Sequence, residues 1–219
     1  LIDTNMNVQF TGAITKIQDN FNSLIDGEHI LHNREGNFIN LFAAFDVYYL
    51  KGKDVRALEF VPTEEEYIKT NFRLPLLTDL VKGLSMVSIV DDRESPLRLQ
   101  VKKFYIDSNS QSIFSGCKFI LSKNDETGFE YNIDGLIFTP SKLGVGSNVR
   151  GKAGPLMKIT WEHSFKWKPI DQNTIDFLVS YKKDKANKVE VNNIFENGID
   201  TSSASQLTQY KTLILRVGF

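Results

Sequence analysis

Cysteine is all but missing from the 219 residues. Cys117 stands alone, which excludes an internal disulfide and fits a reducing compartment. Long apolar runs are missing too: none approaches the roughly 18 residues that would span a membrane. Neither charge dominates. The net charge is −1 and the pI about 6.4, so a general basic surface for nucleic acid is not implied and any polyanion contact must be local. No internal repeat or low-complexity tract is present. The histidines are His29, His32 and His163. The first two lie three apart in a stretch that alternates like a strand, so they face opposite sides, and no cysteine pair joins them to make a metal set. There is no G-x-S-x-G, and Cys117 has no histidine near it in sequence, so a hydrolytic nucleophile is not indicated. GSNVRGKA at 146–153 approaches a phosphate loop but ends in Ala153, without the magnesium-binding hydroxyl. Gly154-Pro155 follows where that motif needs a helix N-terminus.

What is present is a strand-rich pattern. VQFTGAI, HILHN and FINLFAAFDVYYL read as strands, separated by turn signals at Asp26-Gly27, Glu35-Gly36-Asn37 and Lys51-Gly52-Lys53-Asp54. EYIKTNFRLPLLTDLVKGLSMV reads as mainly helical, with Pro75 a break or a second start. LRLQVKKFYI, CKFILSK, NIDGLIFTP, MKITW, SFKWKP and TIDFLVSYKK read as further strands, and residues 142–155 as a Gly-rich surface loop. The composition turns polar after about residue 181, as at a domain boundary, before QYKTLILRVGF opens another strand. The fold class is α+β with a mostly antiparallel core. Leu1 is not a methionine and Phe219 falls inside an apolar run. Both ends read as cuts in a longer polypeptide.

Four stretches carry candidate chemistry. In FKWKP, a strand puts Lys166 and Lys168 on one face and Trp167 on the other. That is either a solvated edge or two ammonium groups converging on a phosphate, with Pro169 ending the pairing. In NIDGLIFTP, Asp134-Gly135 is either a hairpin turn or a carboxylate for a hard divalent cation, with Gly135 letting a ligand approach the backbone. In LIDGEHI, Asp26 and Glu28 flank a glycine, as a turn before a strand or as a carboxylate for a sugar hydroxyl. FAAFDVYYL is core, with one aromatic available to stack on a base.

Taken in order, LIDGEHI, FAAFDVYYLKG, LQVKKFY, NIDGLIFTP and SFKWKPIDQNTIDF resemble the covalent nucleotidyltransferases: the capping enzymes and polynucleotide ligases. DGLIFTP and KWKP…NTIDF resemble the mRNA guanylyltransferase branch, since ligases more often carry Glu-Gly at the Asp134-Gly135 position. The flanking segments LIDTNMNVQFTGA and NNIFENG…YKTLILRVGF are similar to capping enzymes of large cytoplasmic DNA viruses. The resemblance implies a nucleotidyltransferase fold, ATP-grasp-like, of antiparallel sheets with flanking helices over residues 1–180. It implies the beginning of an OB-fold over 181–219. It implies transfer of GMP from GTP, through a lysyl-GMP intermediate, to the 5′-diphosphate end of RNA. By matched position, Glu28 is implied to contact ribose and Phe45 to stack on guanine, with Phe42 the neighbouring alternative. Lys102 is implied to touch the base, with Lys103 the alternative register. Asp134 is implied to bind a divalent metal, magnesium or manganese, and Lys166 and Lys168 to hold the α-phosphate. Asp176 falls in the family's Asp-Phe pair within the GTP site.

One motif departs. No K-x-D-G occurs in the chain. Lys16, Lys51 and Lys53 precede no Asp-Gly at that spacing, so the nucleophile is expected upstream of Leu1 and the closing OB-fold motif beyond Phe219. The alternatives are an ATP-dependent ligase and a non-catalytic binding module of the same fold. The resemblance is compatible with triphosphatase and methyltransferase domains in one polypeptide. It places the protein in the cytoplasm, in a viral factory or virion, away from membrane.

Overall fold

The computed structural model describes residues 1–62, 71–106, 112–126, 128–157, 160–195 and 207–217. It divides into two compact units, Leu1–Pro169 and Ile170–Phe219. The break falls ahead of the composition shift near residue 181. In chain order the first unit carries β1 (Ala13–Ile14), β2 (Leu24–His32), β3 (Phe38–Leu50), β4 (Lys53–Asp54), α1 (Arg73–Gly83), β5 (Val87–Ser88), β6 (Arg98–Val101), α2 (Ile113–Asp125), β7 (Leu136–Phe138) and β8 (Phe165–Trp167). The second carries β9 (Phe177–Tyr181), β10 (Val191–Phe195), β11 (Leu207–Lys211) and β12 (Leu213–Val217). The architecture is α+β with mostly antiparallel sheets.

β3 organises the first unit. Its apolar, aromatic and β-branched run suits a strand covered on both faces, and Ala43, Ala44, Asp46 and Val47 are all buried. β2 runs antiparallel along one edge. β6 lies parallel to residues 41–44 and β4 antiparallel to the last two residues, both on the other edge. Lys51 and Gly52 both take positive φ (52° and 80°), the two-residue turn that matches hairpin twist. α1 packs on β3 and β6, and Ala44, Val47, Val55, Leu77 and Leu80 form the core between them.

The start of α1 explains Pro75. The Arg73 and Leu74 N–H groups donate to the carbonyls of Glu59 and Phe60, each at 3.0 Å, and Leu76 N–H donates to Phe72 O. Pro75 has no N–H and sits in the first turn, where none is needed. It marks the start of the helix rather than a break. Residues 66–70 of the expected helix lie outside the described residues.

Several expectations are corrected. CKFILSK is helical, within α2. Ser112 caps this helix by accepting from Ser115 N–H at 3.3 Å, and a short apolar run has no period that separates helix from strand. Asp26-Gly27 is not a turn but the middle of β2. An added Cβ on Gly27 would collide with the Phe42 ring, so the glycine there makes room for a ring. Of VQFTGAI only Ala13 and Ile14 form a strand, with Val8 in an isolated bridge to Ile2. MKITW contributes no strand among the described residues, and its Lys158 and Ile159 lie outside them. In the second unit β9 pairs with β12 and β10 with β11, both antiparallel.

One buried ion pair ties these pieces together. Arg73 has no exposed surface. Its Nε and Nη2 donate to the two Asp46 carboxylate oxygens at 2.8 and 3.1 Å. Its Nη1 donates to the carbonyls of Leu58 and, at 3.1 Å, Leu143. The guanidinium also lies 5.3 Å from the Phe60 ring centroid. Burial pushes the Asp46 carboxyl up, while Arg73 opposes that shift. Removing one partner strands the other's charge in the core, which typically costs 3–5 kcal/mol, whereas an apolar pair of similar volume costs far less. Arg73→Met alone should therefore destabilise the chain by about 3–5 kcal/mol, and Asp46→Leu with Arg73→Met by less than either single change. Urea unfolding followed by tryptophan fluorescence reads this directly, because Trp161 and Trp167 both lie in the first unit. Additive losses in the double variant would contradict it.

Candidate functional site

The β2–β3 register shifts between Asp26, opposite Asp46, and Gly27, opposite Ala44. Phe45 is the extra residue of that bulge. A bulge bends the strand and re-aims a side chain. On β2, Asp26 accepts from its own Gly27 N–H at 2.9 Å and from the Tyr48 hydroxyl, which fixes the strand at this point. The phenol is pushed up by burial and by that carboxylate. Phe42 goes elsewhere: its ring lies over Gly27 and packs against the core.

Lys102 arrives from the opposite edge. The parallel pairing of β6 extends one residue, with Lys102 N–H donating to Ala44 O at 2.8 Å. Neighbouring strands lie about 4.8 Å apart, so reaching β2 from β6 means crossing β3. The Lys102 ammonium does so. It passes 5.9 Å from the Phe45 ring centroid and donates to Glu28 Oε2 at 2.6 Å. Lys103, one residue on, is exposed.

A second ion pair forms where β7 meets β8. The register pairs Leu136 with Trp167, so one step further sets Gly135 against Lys168. A Cβ on Gly135 would collide with Trp167 O. Only a glycine admits that backbone, and what approaches it is the neighbouring strand rather than a ligand. Lys168 Nζ then donates to Asp134 Oδ2 at 2.5 Å. This bond is the main cause holding the Asp134 carboxyl below the usual carboxylate range, and the Lys102 charge acts in the same direction. The segment leading to Asp134 is clamped from below. Arg98 Nη1 and Nη2 grip Glu130 at 2.5 and 3.0 Å. Arg34 donates its backbone N–H to Glu130 O at 3.1 Å and its Nε to Tyr131 O at 3.3 Å. The Tyr131 phenol is raised by burial and then by the Glu28 carboxylate.

Five of the candidate residues thus fall into two groups: Glu28, Phe45 and Lys102 in one, and Asp134 and Lys168 in the other. Lys166 is exposed in the middle of β8, opposite Ile137. Lys168 lies just past the strand. Trp167 does not face the core: it is 43% exposed, because the narrow β7–β8 ribbon buries no residue of β8. Asp176 belongs to the second unit, exposed ahead of β9. Sequence reasoning passed over Tyr131 and the Arg34, Arg98 and Arg73 anchors. The signal for Arg73 was a lone cation in the apolar FRLPLL run.

Among the described residues no group of three or more His, Cys, Asp or Glu is placed to hold a metal. Asp134 by itself suits a hard cation that draws its remaining ligands from phosphate oxygens and water, the usual magnesium habit. Among the described residues no helix is long and apolar enough to cross a membrane.

No protein-family model matches the chain. It is similar to a protein named "Probable mRNA-capping enzyme" from Acanthamoeba polyphaga mimivirus, at 25% identity over 230 aligned positions that take in 90% of this chain. The chain spans 18% of that relative's length.

The Asp134 carboxyl should titrate by NMR with a midpoint below that of an ordinary aspartate. Lys168→Met should return the midpoint toward the usual range. A depressed folded value means the pair stabilises the fold above the unfolded-state pKa and loses that contribution as the pH falls through the folded value. At this exposure the gain is at most about 1 kcal/mol. An Asp134 midpoint that Lys168→Met leaves in place would refute the assignment.

Proposed function

We propose that this chain carries the GTP-binding part of an mRNA guanylyltransferase, in a nucleotidyltransferase fold followed by the start of an OB-fold. Two groupings drawn from five separate stretches carry this reading: Glu28 with Lys102 beside Phe45, and Asp134 with Lys168. The order of those stretches and the capping-enzyme relative support it. Phe45 stacks on guanine, Lys102 touches the base and Glu28 the ribose. Lys166 and Lys168 hold the α-phosphate, and Asp134 holds magnesium or manganese. For Asp176, in the second unit, the resemblance of its Asp-Phe pair alone suggests a part in GTP binding. A bound divalent cation offsets charge on the phosphoryl oxygens.

The chemistry is GMP transfer to the 5′-diphosphate end of RNA. A deprotonated lysine amine attacks the α-phosphorus, an N–P bond forms, the α–β P–O bond breaks, and pyrophosphate leaves. Lys166 and Lys168 stabilise the negative charge that builds on the phosphoryl oxygens. Their positive charge also depresses the pKa of a lysine brought beside them. That lysine belongs to a K-x-D-G sequence, which the 219 residues do not contain. The chain therefore binds the nucleotide without becoming labelled. Triphosphatase and methyltransferase domains in the same polypeptide, and a cytoplasmic viral setting, complete this reading.

The chain should bind GTP in the presence of magnesium more tightly than ATP. Phe45→Ala should weaken binding about tenfold, since stacking on one base is worth roughly 1–3 kcal/mol. Calorimetry measures both, and preference for ATP would move the assignment to a ligase. With α-labelled GTP and metal, no acid-labile protein label should form on this chain. A polypeptide extended to include a K-x-D-G should acquire one. A labelled band on the chain alone would overturn the missing-nucleophile reading.

A further inference from the structure

We propose that Asp134 and Lys168 form an exchange pair that couples metal binding to polyphosphate binding. The proposal rests on the nucleotide-pocket reading for its two ligand classes, a divalent cation and a polyphosphate. Its basis is the contact itself: the Lys168 ammonium and the Asp134 carboxylate neutralise each other at 2.5 Å. A cation arriving alone must take Asp134 from Lys168. A phosphate arriving alone must take Lys168 from Asp134. When both arrive, each ligand releases the partner the other needs.

Three features make the pair suited to exchange. The side chains are 66% and 38% exposed for Asp134 and Lys168, and an ion pair so exposed is weak enough for a ligand to displace. Gly135 packed on Trp167 O holds the two backbones together, so exchange needs only side-chain rotation. No cluster of three or more acidic or imidazole ligands among the described residues offers the cation an independent cage, so a metal gains most of its ligands from the phosphates it accompanies. Coupling of this kind is reciprocal: whatever factor phosphate adds to metal affinity, metal adds to phosphate affinity.

The test uses ligands without guanine, so it is independent of the GTP-binding result. Manganese binding to the 219-residue chain is measured by electron paramagnetic resonance with no phosphate present. Inorganic tripolyphosphate binding is measured by calorimetry in chelator. Lys168→Met should tighten manganese binding about threefold, and Asp134→Asn should tighten metal-free tripolyphosphate binding about threefold. Lys118→Met, which removes one exposed positive charge from α2, controls for bulk charge and should leave manganese binding within about 1.5-fold. Both side chains of the pair are exposed, so the variants should keep the wild-type circular dichroism. If Lys168→Met fails to tighten manganese binding, or tightens it no more than Lys118→Met, the exchange pair is wrong. It is equally wrong if Asp134→Asn leaves tripolyphosphate binding unchanged. GTP binding with these shifts absent would sink the exchange pair alone. The shifts without GTP binding would sink only the guanylyltransferase reading.

Discussion

Arg73 carries a guanidinium into a position with no exposed surface, and three parts of the first unit converge on it. It is the first residue of α1, it grips Asp46 on β3, and it donates to the backbone at Leu58 and Leu143. Four of its five N–H groups are accounted for by these bonds. That matters because a buried cation is costly unless its donors are used and its charge is met. Asp46 sits directly beside the Phe45 bulge and opposite Asp26. The pair therefore fixes helix, central strand and the 143 loop against one another at the point where the strand turns Phe45 outward.

From that frame the site follows by geometry. Strand spacing makes Lys102 cross the sheet to meet Glu28, and the crossing lays its ammonium near the Phe45 ring. The β7–β8 register, closed by Gly135 on Trp167 O, leaves Lys168 no longer path than the width of a strand pair to Asp134. Arg98 and Arg34 hold the chain that delivers Asp134. The groups on the face are charged and partly exposed while their supports are buried or doubly bonded.

Much of this was legible in the primary structure, and the failures have particular causes. FINLFAAFDVYYL is long, apolar and β-branched enough to be read as a strand without ambiguity, and β3 coincides with it. Lys51-Gly52 read correctly as a turn because two successive positive φ values suit few residues. Asp26-Gly27 has the same turn signature but lies inside β2, because its glycine answers to the Phe42 ring across the sheet rather than to local chain reversal. CKFILSK reads as a strand because a short apolar run has no period to separate the two elements, whereas the Ser112 cap and the packing of Gly116 under Tyr105 settle it as helix. Alternation sets Trp167 on the face opposite Lys166 and Lys168. Alternation names opposite faces but not which face is covered, and the β7–β8 ribbon leaves the indole side open.

By itself, the sequence determined the residue types and their order: a strand-rich chain of balanced charge, seven candidate side chains in five separate stretches, and no K-x-D-G. Local chemistry sufficed there, since periodicity, turn residues and composition act over a few positions. The tertiary structure decided which of those side chains meet. Glu28 and Lys102 are 74 residues apart, and Asp134 and Lys168 are 34 apart. It also separated Lys102 from Lys103 and Phe45 from Phe42, neighbours that no local rule distinguishes. The physical reason is that register across strands is set by hydrogen bonding and packing between distant segments. A shift of one residue turns every side chain to the other face.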